Sequence, residues 1–218
     1  MSKKPTNRFT LLKNKLINGE FKYLINLFIE KTYSTRYSFI LKRDLNKEFT
    51  NPNAKIEIHI RLQEENDLKH FSAFDYEKLL KEDIPNCYVA ITKEGLPCYR
   101  QWLISHDYNE KLEKVFGKNI PFPKKDEALL EAALTLPEYR GKQIMPAAMS
   151  RIAEKGKELN VRWIITCVKT DNIPSLKGCL RSGFEPYLLQ KIKYRFFKYS
   201  VTYGKIPNKL LKTSVFSL

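Results

Sequence analysis

The spacing of apolar side chains shifts along the 218-residue chain, and each shift predicts a new element. In residues 9–30 (FTLLKNKLINGEFKYLINLFIE), Leu12, Leu16, Leu24, Leu27 and Phe28 recur at helical spacing with lysines on the opposite face. Gly19 either interrupts this helix or separates two. A short element follows at 37–45 (YSFILKRDL). From residue 55 the pattern changes: KIEIHIRL alternates and reads as a strand, and 66–82 reads as helical. CYVAIT (87–92) and PCYRQWLIS (97–105), joined by a turn at Lys93-Glu94-Gly95, read as a β-hairpin. Residues 107–116 read as a short helix, and KNIPFPKK as a Pro-punctuated loop.

The second half begins with an ambiguity. EALLEAALTL (127–136) is rich in Ala, Leu and Glu, which favours helix by propensity. From Ile144 to Leu159 the apolar positions Met145, Ala148, Met149, Ile152, Ala153, Gly156 and Leu159 predict an amphipathic helix. VRWIITCV (161–168) is a continuous apolar run, as in a strand buried on both faces. Ser175 to Ser182 reads as helix, stopped by Gly183-Phe184, and 187–203 alternates as a final strand or hairpin. The order predicts an α+β domain with a mixed sheet. It divides the chain into an N-terminal helical extension (1–50), a sheet domain (51–203) and a basic C-terminal tail (204–218).

Composition adds boundaries. Hydrophobic residues make up 43% and aromatics 12%, enough for a sizeable core. No stretch approaches ~20 apolar residues, so no membrane-spanning helix is expected. The N-terminus (MSKKPTNRF) has no signal-peptide apolar run, which predicts a cytoplasmic protein. Cys87, Cys98, Cys167 and Cys179 form no CxxC pair, and His59, His70 and His106 are scattered, so no metal site is expected. The net charge of +15 is uneven. Residues 1–50 carry 11 Lys+Arg against 4 acids and 186–218 carry 7 against none, whereas 51–185 carry 21 against 20. That excess at both ends suggests an anionic partner, such as the inner face of a membrane touched peripherally by the 9–30 helix; a solvated basic surface fits equally. No recognition-module signature beyond charge argues for nucleic acid.

The candidate chemistry lies in LPEYRGKQIMPAAM (136–149). A loop feeding a helix N-terminus offers free backbone N–H groups and the positive end of a dipole, which suits a phosphate. Arg140 and Lys142 add charge-assisted donors, and Pro146 sits in the first turn, where its missing N–H costs little. Gln143 and Met145 are the difficulty, because a Cβ limits backbone approach and disfavours φ > 0.

This loop, followed by an apolar strand, Asn172-x-x-Ser175 and Gly183-Phe184, resembles the acyl-CoA N-acyltransferases of the GCN5-related (GNAT) superfamily over residues ~85 to 200. The family loop commonly reads Pro-x-Tyr-Arg-Gly-Lys-Gly-x-Gly. This chain keeps Pro137, Tyr139, Arg140, Gly141 and Lys142 and puts Gln143 and Met145 at the later glycines. A Pro two residues after the last glycine position resembles a subset associated with bacterial surface-polysaccharide gene clusters. The resemblance implies a mostly antiparallel sheet flanked by helices, and it implies that EALLEAALTL is the strand that holds the thioester and splays from the next strand. It implies acetyl-CoA as co-substrate, with Leu134, Thr135, Leu136, Arg140, Gly141, Lys142, Gln143, Ile144, Met145, Pro146, Asn172 and Ser175 as its contacts. A backbone N–H at Leu134 or Leu136 would then serve as oxyanion hole.

On a strand, Glu127, Leu129, Glu131, Ala133 and Thr135 share one face, which makes Glu131 and then Glu127 the expected general bases. Cys179 stands seven residues after Asn172, where many family members carry the general-acid Tyr; solvent or Tyr187 are the alternatives. Tyr99, Arg100 and Trp102 are the expected acceptor-pocket residues by position. The expected activity is acetyl transfer to a primary amine of a small molecule, such as an amino-sugar nucleotide, in a ternary complex. A peptide or protein acceptor, or a non-catalytic CoA-binding module, remain as alternatives, and a homodimer is open.

Overall fold

The computed structural model describes residues 32–71 and 77–211. The expected helix at 9–30 lies outside the described residues, as do 212–218 of the expected tail. The strands are β1 (Tyr33–Asp44), β2 (Ile58–Leu62), β3 (Cys87–Thr92), β4 (Pro97–Ser105), β5 (Glu127–Thr135), β6 (Trp163–Lys169), β7 (Glu185–Arg195) and β8 (Lys198–Gly204). They form one eight-stranded sheet in the order β2-β3-β4-β5-β6-β1-β7-β8. β2–β3, β3–β4, β4–β5 and β1–β6 pair antiparallel, and β5–β6 pairs parallel. The α-helices among the described residues are α1 (Leu68–Phe71), α2 (Glu77–Lys81), α3 (Asn109–Phe116), α4 (Ile144–Glu154), α5 (Ile173–Arg181) and α6 (Asn208–Leu211). The sheet is mixed and the class is α+β, as the pattern predicts. No helix among the described residues is long and apolar enough to cross a membrane.

The described residues divide into two compact units, one of 38–71, 77–190 and 203–211, the other of 32–37 with 191–202. In the larger unit, one face of the sheet carries Phe39, Leu41, Tyr99, Leu103, Ala128, Leu130 and Ile164 against Ile144, Ala148, Met149 and Ile152 of α4 and Leu176 of α5. The other carries Trp102, Ile104, Leu129 and Ile165 against Leu79 and Leu112. All nine residues of β4 are buried, as befits an inner strand covered on both faces.

β5 settles the ambiguity of 127–136 by burial. Strand costs Ala, Leu and Glu only tenths of a kcal/mol each relative to helix. Leu129 and Leu130 are 0% exposed on opposite faces of the sheet, and burying each is worth about 2 kcal/mol. Tertiary packing therefore overrides propensity.

β1 extends the sheet upstream of residue 51. The pattern shows only a short element at 37–45 because Phe39, Ile40 and Leu41 are buried at 3%, 2% and 0% exposure, and a strand covered on both faces loses its alternation. β1 runs antiparallel to β6, with Ile40 opposite Cys167 and Lys42 opposite Ile165. The buried Arg43 ties this strand to the helices. Its Nη1 donates to Ser150 Oγ (3.0 Å), Ser150 O (3.1 Å) and Ser182 O (3.1 Å), and its Nη2 pairs with Glu154.

In the smaller unit, β7 and β8 are joined by the two-residue turn Phe196-Phe197. Tyr194 is buried there, with the Arg36 guanidinium 5.3 Å from its ring centroid and the Tyr199 ring 5.6 Å away.

Candidate active site

The site begins where β5 leaves β6. β5 pairs with β4 from Ala128 to Thr135, but with β6 only from Glu127 to Leu130. Thr166 Oγ1 donates to Leu130 O (2.9 Å) at the last shared rung. Beyond it the strands part, and Ala133 is exposed although it lies within a strand.

A β-bulge accompanies the departure. The β4–β5 register shifts between Arg100 and Trp102, so Gln101 faces two residues of β5. Ala132 takes φ 58°, a left-handed value that costs a residue with a Cβ about 1–2 kcal/mol. The extra residue corrects the expected alternation. Leu129 and Ala132 pack in one cluster, and Ala133 and Thr135 line the cleft with Tyr99, which packs in the other. Glu127, Glu131, Ala133 and Thr135 therefore do not share a face.

The bulge also decides which amides are free. The Leu136 N–H donates to Cys98 O (3.1 Å), so it belongs to the β4 ladder rather than to an oxyanion hole. Antiparallel alternation then turns the N–H groups of Ala133 and Thr135 to the side from which β6 has withdrawn.

The loop follows. Pro137–Tyr139 forms a turn of 3₁₀ helix, Gly141 has φ 76°, and Gln143 caps α4 with φ 58° and no side-chain cap bond. Gln143 thus adopts the left-handed conformation that glycine adopts without strain. The Lys55 N–H donates to Lys142 O (2.8 Å) and pins the loop from outside. Met145, at the second missing glycine, turns its side chain to α5. A Cβ on Gly178 would sit 2.9 Å from Met145 Sδ, so the thioether fills the space that Gly178 leaves. The first amides of α4 (Gln143, Ile144 and Met145, with Pro146 lacking one) face the loop end without α-helical partners.

Together these elements bound a cleft of about 700 Å³. Of the expected cofactor contacts, Leu134, Thr135, Arg140, Gly141, Gln143, Ile144, Met145, Pro146, Asn172 and Ser175 border it. Leu136 and Lys142 do not: Leu136 is buried, and the Lys142 ammonium lies 4.9 Å from the Tyr139 ring centroid. Asn172 caps α5, its Oδ1 accepting from the Ser175 N–H (3.3 Å). Lys177 and Arg181 also border the cleft and were not expected. Their i, i+4 spacing on α5 is the signal that places both on one helix face. A helix N-terminus, a left-handed nest at Gly141–Gln143 and the Arg140, Lys177 and Arg181 cations fit a pyrophosphate.

The expected acid–base residues separate. Glu131 is half-buried at the divergence of β5 and β6, and the Ala132 N–H donates to its Oε1 (3.0 Å). Burial pushes its carboxyl up to about 7, against the weaker opposing pull of that N–H. Burial chiefly, and the Glu131 carboxylate to a lesser extent, raises the thiols of Cys167 and Cys179. Glu127, by contrast, is 3% exposed and engaged elsewhere. Its Oε1 pairs with Lys42 Nζ (2.8 Å), and its Oε2 accepts from the Lys124 N–H (3.1 Å). The Lys42 ammonium also lies 4.2 Å from the Trp163 ring centroid. Neither Glu127 nor Glu131 lines the cleft; Glu131 stands on β5 two residues before Ala133, which does. Cys179 is 1% exposed with its Sγ 3.8 Å from Met149 Sδ, and burial pushes its thiol up to about 12.

The three residues expected around the acceptor are in the core. Trp102 and Tyr99 are 0% exposed and Arg100 is 2% exposed, its guanidinium 4.6 Å from the Phe71 ring centroid and 4.9 Å from that of Trp102. Of these only Tyr99 reaches the cleft, and its hydroxyl donates to Gln101 Oε1 (2.6 Å). They are buried because β4 is an inner strand, which the alternation of 97–105 does not reveal.

Solved structures share this architecture. A GCN5-related glucosamine N-acetyltransferase region of a fungal multi-domain GH3 β-N-acetylglucosaminidase superposes with a TM-score of 0.56 at 14% identity, over 79% of this chain and 22% of that one. An acetyltransferase of the GNAT family from Colwellia psychrerythraea superposes with a TM-score of 0.53 at 13% identity, over 81% of this chain and 62% of that one. The chain thus spans 22% and 62% of the lengths of these two proteins. No protein-family model and no curated protein matches the sequence. The fold is that of the GNAT acetyltransferases.

Proposed function

We propose that the protein transfers an acetyl group from acetyl-CoA to a primary amine of a small molecule, within a ternary complex. The observation that carries this reading is the cleft at the divergence of β5 and β6, whose loop suits a pyrophosphate; Glu131, a carboxyl that burial raises to about 7, stands on β5 two residues before Ala133, which borders that cleft. A base of that strength is half ionised near neutral pH, which is where a general base works best.

Gly141, Gln143 and the first amides of α4 hold the pyrophosphate, with Arg140, Lys177 and Arg181 neutralising charge. Asn172 and Ser175 orient the pantetheine arm. Glu131 takes the proton of the amine, directly or through water, as nitrogen attacks the thioester carbonyl. The N–H groups of Ala133 and Thr135 meet the charge that develops on the carbonyl oxygen, a role worth about 3 kcal/mol per donor. The C–S bond breaks, and the thiolate takes its proton from solvent, since Cys179 faces Met149 in the core.

The preferred acceptor is an amino-sugar nucleotide, on the strength of the Ile144-Met145-Pro146 loop variant. The test is thiol release from acetyl-CoA with a panel of UDP- and dTDP-amino sugars, small amines and peptides. Release with amino sugars supports the reading, and release confined to peptides overturns the acceptor. Calorimetric binding of acetyl-CoA without turnover of any amine reduces the protein to a binding module, and no binding at millimolar concentration removes both.

A further inference from the structure

The smaller unit carries a feature that acyl transfer does not use. β7 and β8 are joined by Phe196-Phe197, with φ 47° and 65°. Positive φ at both central residues is the geometry of a two-residue type I′ hairpin, in which Asn-Gly or Asp-Gly is favoured. Here two bulky aromatics take strained positions, and they face water: Phe196 is 81% exposed and Phe197 61%.

The turn is held in place. The Phe196 N–H donates to Thr32 O (2.8 Å), and Arg195 Nη1 donates to Ser34 O (3.2 Å). The Arg195 guanidinium lies 3.8 Å from the ring centroid of Tyr33, itself 68% exposed. Lys191, Lys193, Arg195 and Lys198 flank the rings in sequence, Arg36 lies on the neighbouring strand β1, and no acidic residue occurs in 32–43 or 186–218. An exposed aromatic tip on a hairpin rich in cations matches a bilayer interface, where rings sit at headgroup depth and Lys and Arg meet anionic lipid. A nucleic acid would match the cations but would not require two adjacent apolar rings at a hairpin tip.

We propose that Phe196 and Phe197 insert into the headgroup region of an anionic bilayer while the flanking lysines and arginines engage its phosphates. This contact is independent of the acyltransferase reading. The test is co-sedimentation of the full chain with phosphatidylcholine vesicles, with and without 30% phosphatidylserine, for the wild type and for the double variant F196N/F197G. That variant supplies the residues the turn geometry favours, so it cannot fail by unfolding the hairpin. Wild type is expected to partition onto anionic vesicles and not neutral ones, and the variant to partition at least tenfold more weakly with its CD spectrum unchanged. Absence of wild-type binding to anionic vesicles, or equal partition of the variant, overturns the proposal. So does single-stranded DNA that competes fully for the protein while the double substitution leaves vesicle binding unaltered.

Discussion

Replacing Glu131 with Gln should make the protein inactive and more stable at once. Burial raises this carboxyl from 4.5 to about 7. At about 1.4 kcal/mol per unit, keeping it ionised in the folded state costs about 3 kcal/mol. The sign follows from proton uptake. A carboxyl with a raised pKa binds its proton more tightly when folded, so the penalty is absent below 4.5, grows between 4.5 and 7, and is complete above 7. Glu131→Gln keeps the oxygen that accepts from the Ala132 N–H (3.0 Å) and removes the charge. Its stabilisation relative to wild type should therefore approach zero at pH 4.5 and reach about 3 kcal/mol at pH 8.5, a rise of several degrees in Tm at about 2–4 °C per kcal/mol. The same substitution should lower kcat/KM by about 10²–10⁴-fold and leave the calorimetric Kd for acetyl-CoA unchanged. The wild-type kcat/KM should rise with pH through a limb near 7 that the variant lacks. A stability difference that does not vary with pH would refute the buried-charge argument, and an unaltered pH–rate profile would refute the role as base.

Two further outcomes test the cleft. At Gly141 an added Cβ meets no atom within 4 Å, but φ is 76°, so Gly141→Val acts through backbone strain of about 1–2 kcal/mol or more and should weaken acetyl-CoA binding by calorimetry at least about tenfold; an unchanged Kd would mean that the phosphates lie elsewhere. The double variant Lys177→Ala/Arg181→Ala should weaken CoA binding severalfold at 50 mM salt and much less at 500 mM, because these cations act through a screened field; equal Kd values at low salt would remove α5 from the phosphate site.

What the chain makes legible depends on how local the cause is. The helix Ile144–Glu154, the hairpin β3–β4 and the strand β6 follow from apolar spacing and turn residues, and their bounds fall close to the observed ones. The loop residues that border the cleft were readable because Arg140, Gly141 and Gln143 keep their order before a helix. β1 was not legible as a sheet strand, because burial on both faces erased its period and its partner β6 lies more than a hundred residues away. The bulge at Ala132 was equally hidden. Ala has no sequence signature for φ 58°, yet that one residue moves Ala133 and Thr135 off the face of Glu127 and transfers the free amides from Leu136 to Thr135. Glu127 and Glu131 are chemically alike in the sequence. They part only in three dimensions, where Lys42, brought in by β1, occupies Glu127 and no such cation is paired with Glu131 among the described ion pairs.

The missing glycines of the loop follow the same logic. A glycine is required where φ is positive or where two chains approach closely. At residue 143 the first condition holds, and Gln meets it at φ 58°, about 1–2 kcal/mol above what glycine would cost, with its side chain free of the cap. At residue 145 the chain is already helical, so only the second condition matters. There the bulk of Met145 is taken up by the helix opposite, where Gly178 leaves its Sδ the place that a Cβ would contest at 2.9 Å. The small residue has moved from the loop to the facing wall of the cleft. Met145 and Gly178 both line the cleft, and the bulk that the loop gains at residue 145 is accommodated by the glycine that faces it.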